Sequence, residues 1–223
     1  MDRRTWLDAR QAAVVATYNA ESAAYDSNAY PTTSHGRFVT ELLETCPPGG
    51  LLLDAPCGTG RYFDMVRAAG HRVVGVDQSS GMLAQARAKG IAVALVQVSL
   101  QDLSFATEFD GAMTIDAMEN VPPEDWPLVL ANLRRALRPG GHLYLTVEES
   151  DPEAVDDAFR ALTALGLPAV RGEVVEGDVA GYHYYPGRDQ VVRWLAAERL
   201  DIVTEAFDQE DGWGYRHLLL RPG

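Results

Sequence analysis

The segment that most constrains the fold runs from Leu51 to Phe63 and reads LLLDAPCGTGRYF. Three leucines lead into an acidic residue, a glycine-containing turn and a helical pattern. This order predicts a buried parallel strand, a tight turn and the start of a helix. Asp54 stands at the carboxyl end of the strand. Because Gly58 and Gly60 carry no side chain, the pattern predicts a ligand lying close to the backbone at this turn.

Two classes of cofactor use such a turn, and the residues here favour one of them. Dinucleotides favour the pattern G-x-G-x-x-G/A, whose third small residue allows close packing of helix and strand. This chain has Phe63 at that position, and Asp54 would repel a pyrophosphate. S-adenosylmethionine has no phosphate, and its ammonium and sulfonium are cations that suit a carboxylate. The turn therefore predicts S-adenosylmethionine as the cofactor rather than NAD.

The next predicted strand supplies a second acidic residue, in the segment HRVVGVDQSSGMLAQAR. It ends at Asp77, and an acid at that place accepts hydrogen bonds from both ribose hydroxyls of a bound nucleoside. Ser79 or Ser80 is expected to cap the following helix, and Met82 to face the adenine. The alternative is that Asp77 only begins a helix, but two acids correctly spaced around one glycine turn favour the nucleoside site.

With these residues, the chain resembles the class I S-adenosylmethionine-dependent methyltransferases. The segments that carry the resemblance are DAPCGTG, VVGVDQSSGML, FDGAMTIDAMENV and LRRALRPGGHLYL. It implies an α/β, Rossmann-like fold: a seven-stranded sheet of order 3-2-1-4-5-7-6, the last strand antiparallel, with helices on both faces. We expect one methyltransferase domain over residues 1–223, with a helical lid over residues 1–48 and a hairpin insertion over residues 166–187 that covers the substrate site.

Composition and net charge restrict the possible binding partners of the protein and its cellular compartment. The 223 residues are enough for one α/β domain, and the net charge of −13 argues against nucleic acid or an anionic membrane as a partner. The cysteines are Cys46 and Cys57, one before the first strand and one inside the turn, which predicts reduced thiols in a cytoplasmic protein. No membrane span or secretory signal is predicted. We expect a monomer or homodimer that acts on a small molecule.

The resemblance extends the cofactor site beyond the glycine turn. Tyr18 and Arg37, in the predicted lid, are candidates to meet the methionine carboxylate. Family members often have an acid for the adenine amino group where this chain has Ser99, so Leu100 and Gln101 are expected to meet the adenine instead. The predicted cofactor residues are Tyr18, Arg37, Asp54, Ala55, Gly58, Gly60, Asp77, Gln78, Met82, Leu100, Gln101 and Asp116.

Methyl transfer is an in-line displacement, in which the protein mainly positions the nucleophile and excludes water. A base is needed only if the nucleophile arrives protonated. His183 is the first candidate because its aromatic surroundings are expected to cover the substrate. Glu119 is the second candidate, and Glu148 and Glu149 rank below it because one of them could cap the following helix. His35 is a further candidate from the lid, and His217 is expected to be structural. No metal is predicted, since the histidines and cysteines show no metal-ligand spacing.

The predicted substrate residues are rich in tyrosine and acid. They are Tyr25, Tyr30, Asn120, Glu148, Tyr182 and Tyr184. Such a lining suits a small molecule with an aromatic or amine-bearing part, methylated on oxygen or nitrogen, as in natural-product biosynthesis. Two alternatives stay open: a non-methylating enzyme on the same scaffold, such as a cyclase, and a non-catalytic cofactor-binding module.

Overall fold

The computed structural model describes residues 1–28, 33–176, 181–210 and 213–223. The helices within them are α1 (Arg3–Glu21), α2 (Thr33–Thr45), α3 (Phe63–Ala68), α4 (Ser80–Lys89), α5 (Trp126–Ala136), α6 (Pro152–Ala164) and α7 (Arg188–Ala197). The strands are β1 (Leu51–Asp54), β2 (Arg72–Asp77), β3 (Ala94–Gln97), β4 (Phe109–Thr114), β5 (Leu137–Glu149), β6 (Glu173–Glu176), β7 (Gly181–Tyr184), β8 (Leu200–Glu210) and β9 (Trp213–Pro222). Short 3-10 turns occupy Tyr25–Asn28 and Met118–Asn120.

Seven of these described strands form one sheet in the order β3-β2-β1-β4-β5-β9-β8. Strands β1 to β5 pair in parallel, and β9 runs antiparallel to both β5 and β8. The remaining two strands, β6 and β7, form a separate antiparallel hairpin. Without that hairpin the strand order is 3-2-1-4-5-7-6, so the fold predicted from the sequence is confirmed.

The sheet is buried on both faces, as the leucine run of β1 predicts. Leu52 and Leu53 point to opposite faces, and both are fully buried. Leu52 belongs to a cluster with Phe38 of α2 and Phe63 of α3, whereas Leu53 belongs to a cluster with Trp126 of α5. Helices on both faces therefore hold β1, β2 and β4 in register, with their carboxyl ends at one edge.

The N-terminal helix and the β6–β7 hairpin brace each other beside that edge. Trp6 of α1 meets Tyr182 of β7 edge-to-face, with 6.0 Å between the ring centroids. Arg3 of α1 forms an ion pair of 2.8 Å with Glu173 of β6. The assignments of residues 1–48 as a lid and of residues 166–187 as a substrate cover stay predictions. None of the described helices is long and apolar enough to cross a lipid bilayer.

Candidate functional site

A cleft opens at the carboxyl ends of β1, β2 and β4, the edge where ligands bind in open parallel sheets. It encloses about 980 Å³, counting the space open to solvent.

Asp54 and Gly58 form the floor of the cleft at the turn after β1. The Asp54 side chain is buried, and its Oδ2 has no hydrogen-bond partner among the described residues. Burial, and then the charge of Asp77, raise the pKa of the Asp54 carboxyl well above its usual value. A Cβ on Gly58 would meet no atom within 4 Å, so the space beside this backbone is open. An unpaired carboxyl beside an open backbone is suited to a ligand with a cationic group.

Gly60 is glycine for a different reason. A Cβ there would lie 2.5 Å from the Phe63 ring, and Gly60 does not line the cleft. The same ring end would lie 2.8 Å from a Cβ on Gly75 of β2. The Phe63 ring of α3 thus packs closely between Gly60 and Gly75 of β2. The structure does not bring Gly60 to the predicted cofactor site.

Asp77 ends β2 and stabilises the two turns around it. Its Oδ2 accepts from the Gly58 N–H at 2.9 Å and its Oδ1 from the Ser79 N–H at 2.8 Å. Burial raises the pKa of Asp77, while these backbone donors act in the opposite direction. Ser79 also caps α4, because its Oγ accepts from the Met82 N–H at 3.1 Å. Because a carboxylate can accept about four hydrogen bonds, Asp77 can still accept from a further donor.

The N-terminal segment closes one side of the cleft. Tyr18 and Tyr25 line it, and their rings meet edge-to-face at 6.1 Å. Asn19 fastens the end of α1 to the start of α4, because its Oδ1 accepts from the Ser79 hydroxyl and the Gly81 N–H, each at 2.8 Å. The role of this segment as a lid stays a prediction.

Arg37, predicted beside the methionine carboxylate, is exposed on α2 and does not line the cleft. Its guanidinium lies over the Phe38 ring, 5.3 Å from the centroid. Tyr30 lies outside the described residues. The cation that does line the cleft, in the described chain, is Arg61, which lies 5.4 Å from the centroid of the Tyr25 ring.

Asp116 marks the acceptor end of the cleft, directly after β4. Its φ of 48° is in the left-handed region, which is rare outside glycine and recurs at functional sites. Its N–H donates to the Thr146 hydroxyl at 2.8 Å, which holds the backbone in place. Its Oδ1 lies 3.3 Å from His35 Nε2. The lid helix α2 thus places an imidazole against the carboxyl group that faces the cleft.

Glu119 and Glu148 adjoin Asp116 but do not line the cleft themselves. Each is 6% exposed. Glu119 Oε1 accepts from Asn120 Nδ2 at 3.0 Å, and its Oε2 has no partner among the described residues. Burial, followed by the charges of Glu148 and Asp116, raises the pKa of Glu119 well above its usual value. Glu119 therefore holds its proton more firmly than an ordinary carboxyl group.

The aromatic stretch of β7 does not reach the cleft. Tyr182 and Tyr184 are buried in the core, and the Tyr182 hydroxyl donates to Glu173 at 2.7 Å. His183 points the other way, with its Nδ1 3.2 Å from the Tyr185 hydroxyl. Successive side chains of a strand alternate between faces, and here the tyrosine face packs on Trp6 rather than on a ligand.

The predicted site residues thus fall into two groups, and their roles stay predictions. Those that line the cleft are Tyr18, Tyr25, Asp54, Gly58, Asp77, Gln78, Met82, Leu100, Gln101, Asp116 and Asn120. Those that do not are Arg37, Ala55, Gly60, Glu119, Glu148, Tyr182, His183 and Tyr184.

The sequence analysis missed Gln11, Val14, Thr59, Arg61 and Tyr62, all of which line the cleft. Gln11 and Val14 precede Tyr18 on one face of α1, so the helical period carried a usable signal. The described residues contain no group of three His, Cys, Asp or Glu side chains that could hold a metal ion.

Comparisons with known proteins agree with this geometry. A family model described as a methyltransferase domain matches residues 52–141. A malonyl-[acyl-carrier protein] O-methyltransferase of Serratia marcescens is 32% identical over 196 residues, which are 86% of this chain and 70% of that protein. Its counterpart in Erwinia pyrifoliae is 33% identical over 154 residues, 67% of this chain but 57% of that protein.

A solved structure has the same fold. It is that of 1,6-didemethyltoxoflavin-N1-methyltransferase of Burkholderia thailandensis, with bound 1,6-didemethyltoxoflavin and S-adenosylhomocysteine. The TM-score is 0.73 at 19% identity, and the match covers 100% of this chain and 91% of the other.

Proposed function

Because the chain belongs to the class I S-adenosylmethionine-dependent methyltransferases, we propose that it methylates an oxygen or nitrogen of a small molecule held in the cleft. The observation that carries the proposal is the unpartnered, buried Oδ2 of Asp54 beside the open backbone of Gly58. A buried carboxyl oxygen without a donor is costly in a protein interior. The cofactor ammonium would supply the missing donor and the opposite charge.

The other contacts of the cleft support the same cofactor. Asp77 would accept from the ribose hydroxyls, while Leu100 and Gln101 would meet the adenine. Tyr18 and Tyr25 would exclude water above the reacting atoms. When bound, S-adenosylmethionine supplies a methyl group activated by the positive sulfonium. The protein itself would position the acceptor near Asp116 and Asn120, at the other end of the cleft.

A protonated acceptor needs a general base, and Glu119 and His183 stay the predicted candidates for it. Glu119 adjoins the acceptor end, but its raised pKa favours the protonated form, which cannot accept a proton. His183 lies on the hairpin beside Tyr185. Asp116, with His35 behind it, lines the cleft and is a third group able to accept a proton.

We further propose a cytoplasmic monomer or homodimer whose acceptor is a natural-product intermediate rather than a nucleic acid. Both cysteines are free and Cys57 is buried, which supports a reducing compartment. The net charge of −13 disfavours a polyanionic partner.

Calorimetry with S-adenosylhomocysteine tests the cofactor site. We expect a dissociation constant in the micromolar range or tighter, about −8 kcal/mol or better. Asp77→Asn should weaken binding by about 1–3 kcal/mol, because charge-assisted hydrogen bonds to ribose are lost. Asp64→Asn, the same change in an exposed surface pair, is the control and should have no effect. If NADH binds and S-adenosylhomocysteine does not, the proposed function is wrong.

A further inference from the structure

Three carboxyl groups lie near one another at the acceptor end of the cleft, and of these Asp116 lines the cleft itself. Asp116 follows β4, and Glu148 stands near the end of β5, the parallel neighbour of β4. Glu119 is in the 3-10 turn Met118–Asn120, shortly after Asp116 in the chain. Parallel neighbours end at the same edge, so the topology brings these side chains together; we refer to Asp116, Glu119 and Glu148 as the acid cluster.

Glu119 lies at the centre of the acid cluster. It is 6% exposed, and its Oε2 has no hydrogen-bond partner in the part of the chain that the structure describes. After burial, its charge is among the causes that raise the pKa of Tyr18, Tyr25 and Tyr215. These tyrosines come from α1, a 3-10 turn and β9, so the charge of Glu119 acts on groups from three different elements.

The described residues provide little positive charge for Asp116 and Glu119. His35 Nε2 lies 3.3 Å from Asp116 Oδ1, a contact that is an ion pair only when the imidazole is protonated, and within the described ranges no lysine or arginine forms an ion pair with Glu119. The Arg61 guanidinium lies over the Tyr25 ring instead. Burying an ionised carboxyl without a cation is unfavourable, which is why burial favours a protonated Glu119. A cationic ligand would remove that cost.

We propose that the methyl acceptor is an amine that binds as its ammonium to the acid cluster, so the enzyme is an N-methyltransferase. This inference rests on the proposed function and names its substrate class. The ammonium would meet the Asp116 carboxyl, which lines the cleft, and the nearby buried Glu119 carboxyl would add negative charge. The rings of Tyr18 and Tyr25, which also line the cleft, would attract the cation through their faces. An acceptor with a carboxylate would instead bring a like charge to three acids.

The transfer balances with one proton released. An ammonium has no free lone pair, so one N–H proton first passes to a carboxylate, and Asp116, backed by His35, is placed to take it. The nitrogen lone pair then forms the C–N bond as the C–S bond breaks, and the bonding pair stays on sulfur. The products are a methylated ammonium, a neutral thioether and a proton released to solvent.

Glu119→Gln is the variant that tests the proposal. It removes the ionisable group but keeps the shape and the oxygen that accepts from Asn120. Because burial already favours an uncharged Glu119, we expect the variant to fold. The matched control is Glu153→Gln, the same change at an exposed position of α6.

The probes are tyramine against tyrosol and benzylamine against benzyl alcohol, pairs that differ by an ammonium in place of a hydroxyl. Each is titrated into protein saturated with S-adenosylhomocysteine. In the wild type and in Glu153→Gln, at least one amine should bind about tenfold more tightly than its alcohol. In Glu119→Gln this preference should fall below about threefold. No amine preference in the wild type, or the same preference in Glu119→Gln, overturns the proposal.

The cofactor sulfonium is the other cation that the acid cluster could serve, and one more titration separates the two roles. S-adenosylmethionine and S-adenosylhomocysteine differ in that charge. If Glu119→Gln weakens S-adenosylmethionine but not S-adenosylhomocysteine, the cluster serves the cofactor and the proposal is overturned. Equal affinities in variant and wild type support it. Failure of wild-type protein to bind S-adenosylhomocysteine overturns the proposed function as well, whereas normal cofactor binding without amine preference overturns this inference alone.

Discussion

Gly58 and Gly60 stand two residues apart in one turn, and only one of them faces the cleft. Both have a positive φ, 52° and 75°, so an alanine strains the backbone similarly at either place, by about 1–2 kcal/mol. At Gly58 the new methyl group would enter open space, whereas at Gly60 it would collide with the Phe63 ring. Substituting each glycine in turn therefore distinguishes an effect on ligand binding, at Gly58, from an effect on packing, at Gly60.

We predict opposite outcomes for alanine at the two positions. Gly58→Ala should weaken S-adenosylhomocysteine binding at least tenfold, with a stability loss limited to the backbone strain. Gly60→Ala should lose about 1–3 kcal/mol more stability through overpacking, with cofactor affinity less affected. Calorimetry and urea unfolding of the two proteins check this. Unchanged affinity in Gly58→Ala would show that no ligand lies over the turn.

At the scale of elements, the contact between α1 and α4 is the fastening of the predicted lid. Asn19 Oδ1 accepts from three donors at the start of α4: the Ser79 hydroxyl, the Gly81 N–H and, at 3.3 Å, the Ser80 hydroxyl. A second contact joins the following 3-10 turn to the glycine turn, since Thr59 donates to Asp26 at 2.5 Å. The lid is thus attached to the same two turns that border the cofactor end of the cleft.

Asn19→Ala is predicted to loosen this attachment. Three donors lose their acceptor, so S-adenosylhomocysteine should bind about five- to tenfold more weakly, equivalent to about 1 kcal/mol. The dissociation rate should rise, because the predicted lid would open more often. Asn19→Asp keeps an oxygen for these donors and should restore most of the affinity. A dissociation rate in Asn19→Ala equal to that of the wild type would contradict the role of this contact.

For the whole molecule, one buried imidazole makes stability depend on pH. His217 of β9 is fully buried, stacks on Phe38 of α2 with 4.7 Å between centroids, and has its Nδ1 2.8 Å from the Tyr144 hydroxyl of β5. Burial, and then the charge of His35, lower the pKa of His217 to about 4, while carboxylates, Asp208 first, act in the opposite direction. The group therefore joins the lid helix α2 to the sheet as a neutral ring.

Acid should weaken this fold through His217. Unfolded, the imidazole takes up a proton near pH 6.5, about the usual value, whereas in the fold it stays neutral down to about pH 4. The unfolded state binds more protons in this window, so the contribution is full above pH 6.5 and is lost as the pH falls. The wild type should lose about 2–3 kcal/mol more unfolding free energy than His217→Gln between pH 7 and 4.5. Urea titrations at the two pH values measure the free energy of unfolding. Equal losses in the wild type and in His217→Gln would show that His217 does not cause this pH dependence.

The amino-acid sequence determined those parts of this protein that depend on neighbours along the chain. The leucine run, the acids at Asp54 and Asp77 and the glycine turn are local patterns, and they were enough to predict the cofactor class. The strand order was implied by the family resemblance that these patterns support. The Ser79 cap was also predictable, because a serine side chain reaches the N–H three residues ahead. Gln11 and Val14 could have been found by the same reasoning, from their helical spacing to Tyr18.

Only the tertiary structure decided which way side chains face when the partner is distant in sequence. The sequence predicted Tyr182 as a substrate contact, but its strand lies against Trp6, which is distant along the chain, and that contact turns the tyrosine inward. The sequence predicted that Arg37 binds the methionine carboxylate of the cofactor, but the packing of α2 on the sheet directs this side chain outward. The acid cluster could not be predicted from the sequence for the same reason. Asp116 and Glu148 become neighbours through the pairing of β4 with β5, and the periodicity along one strand carries no information about that pairing.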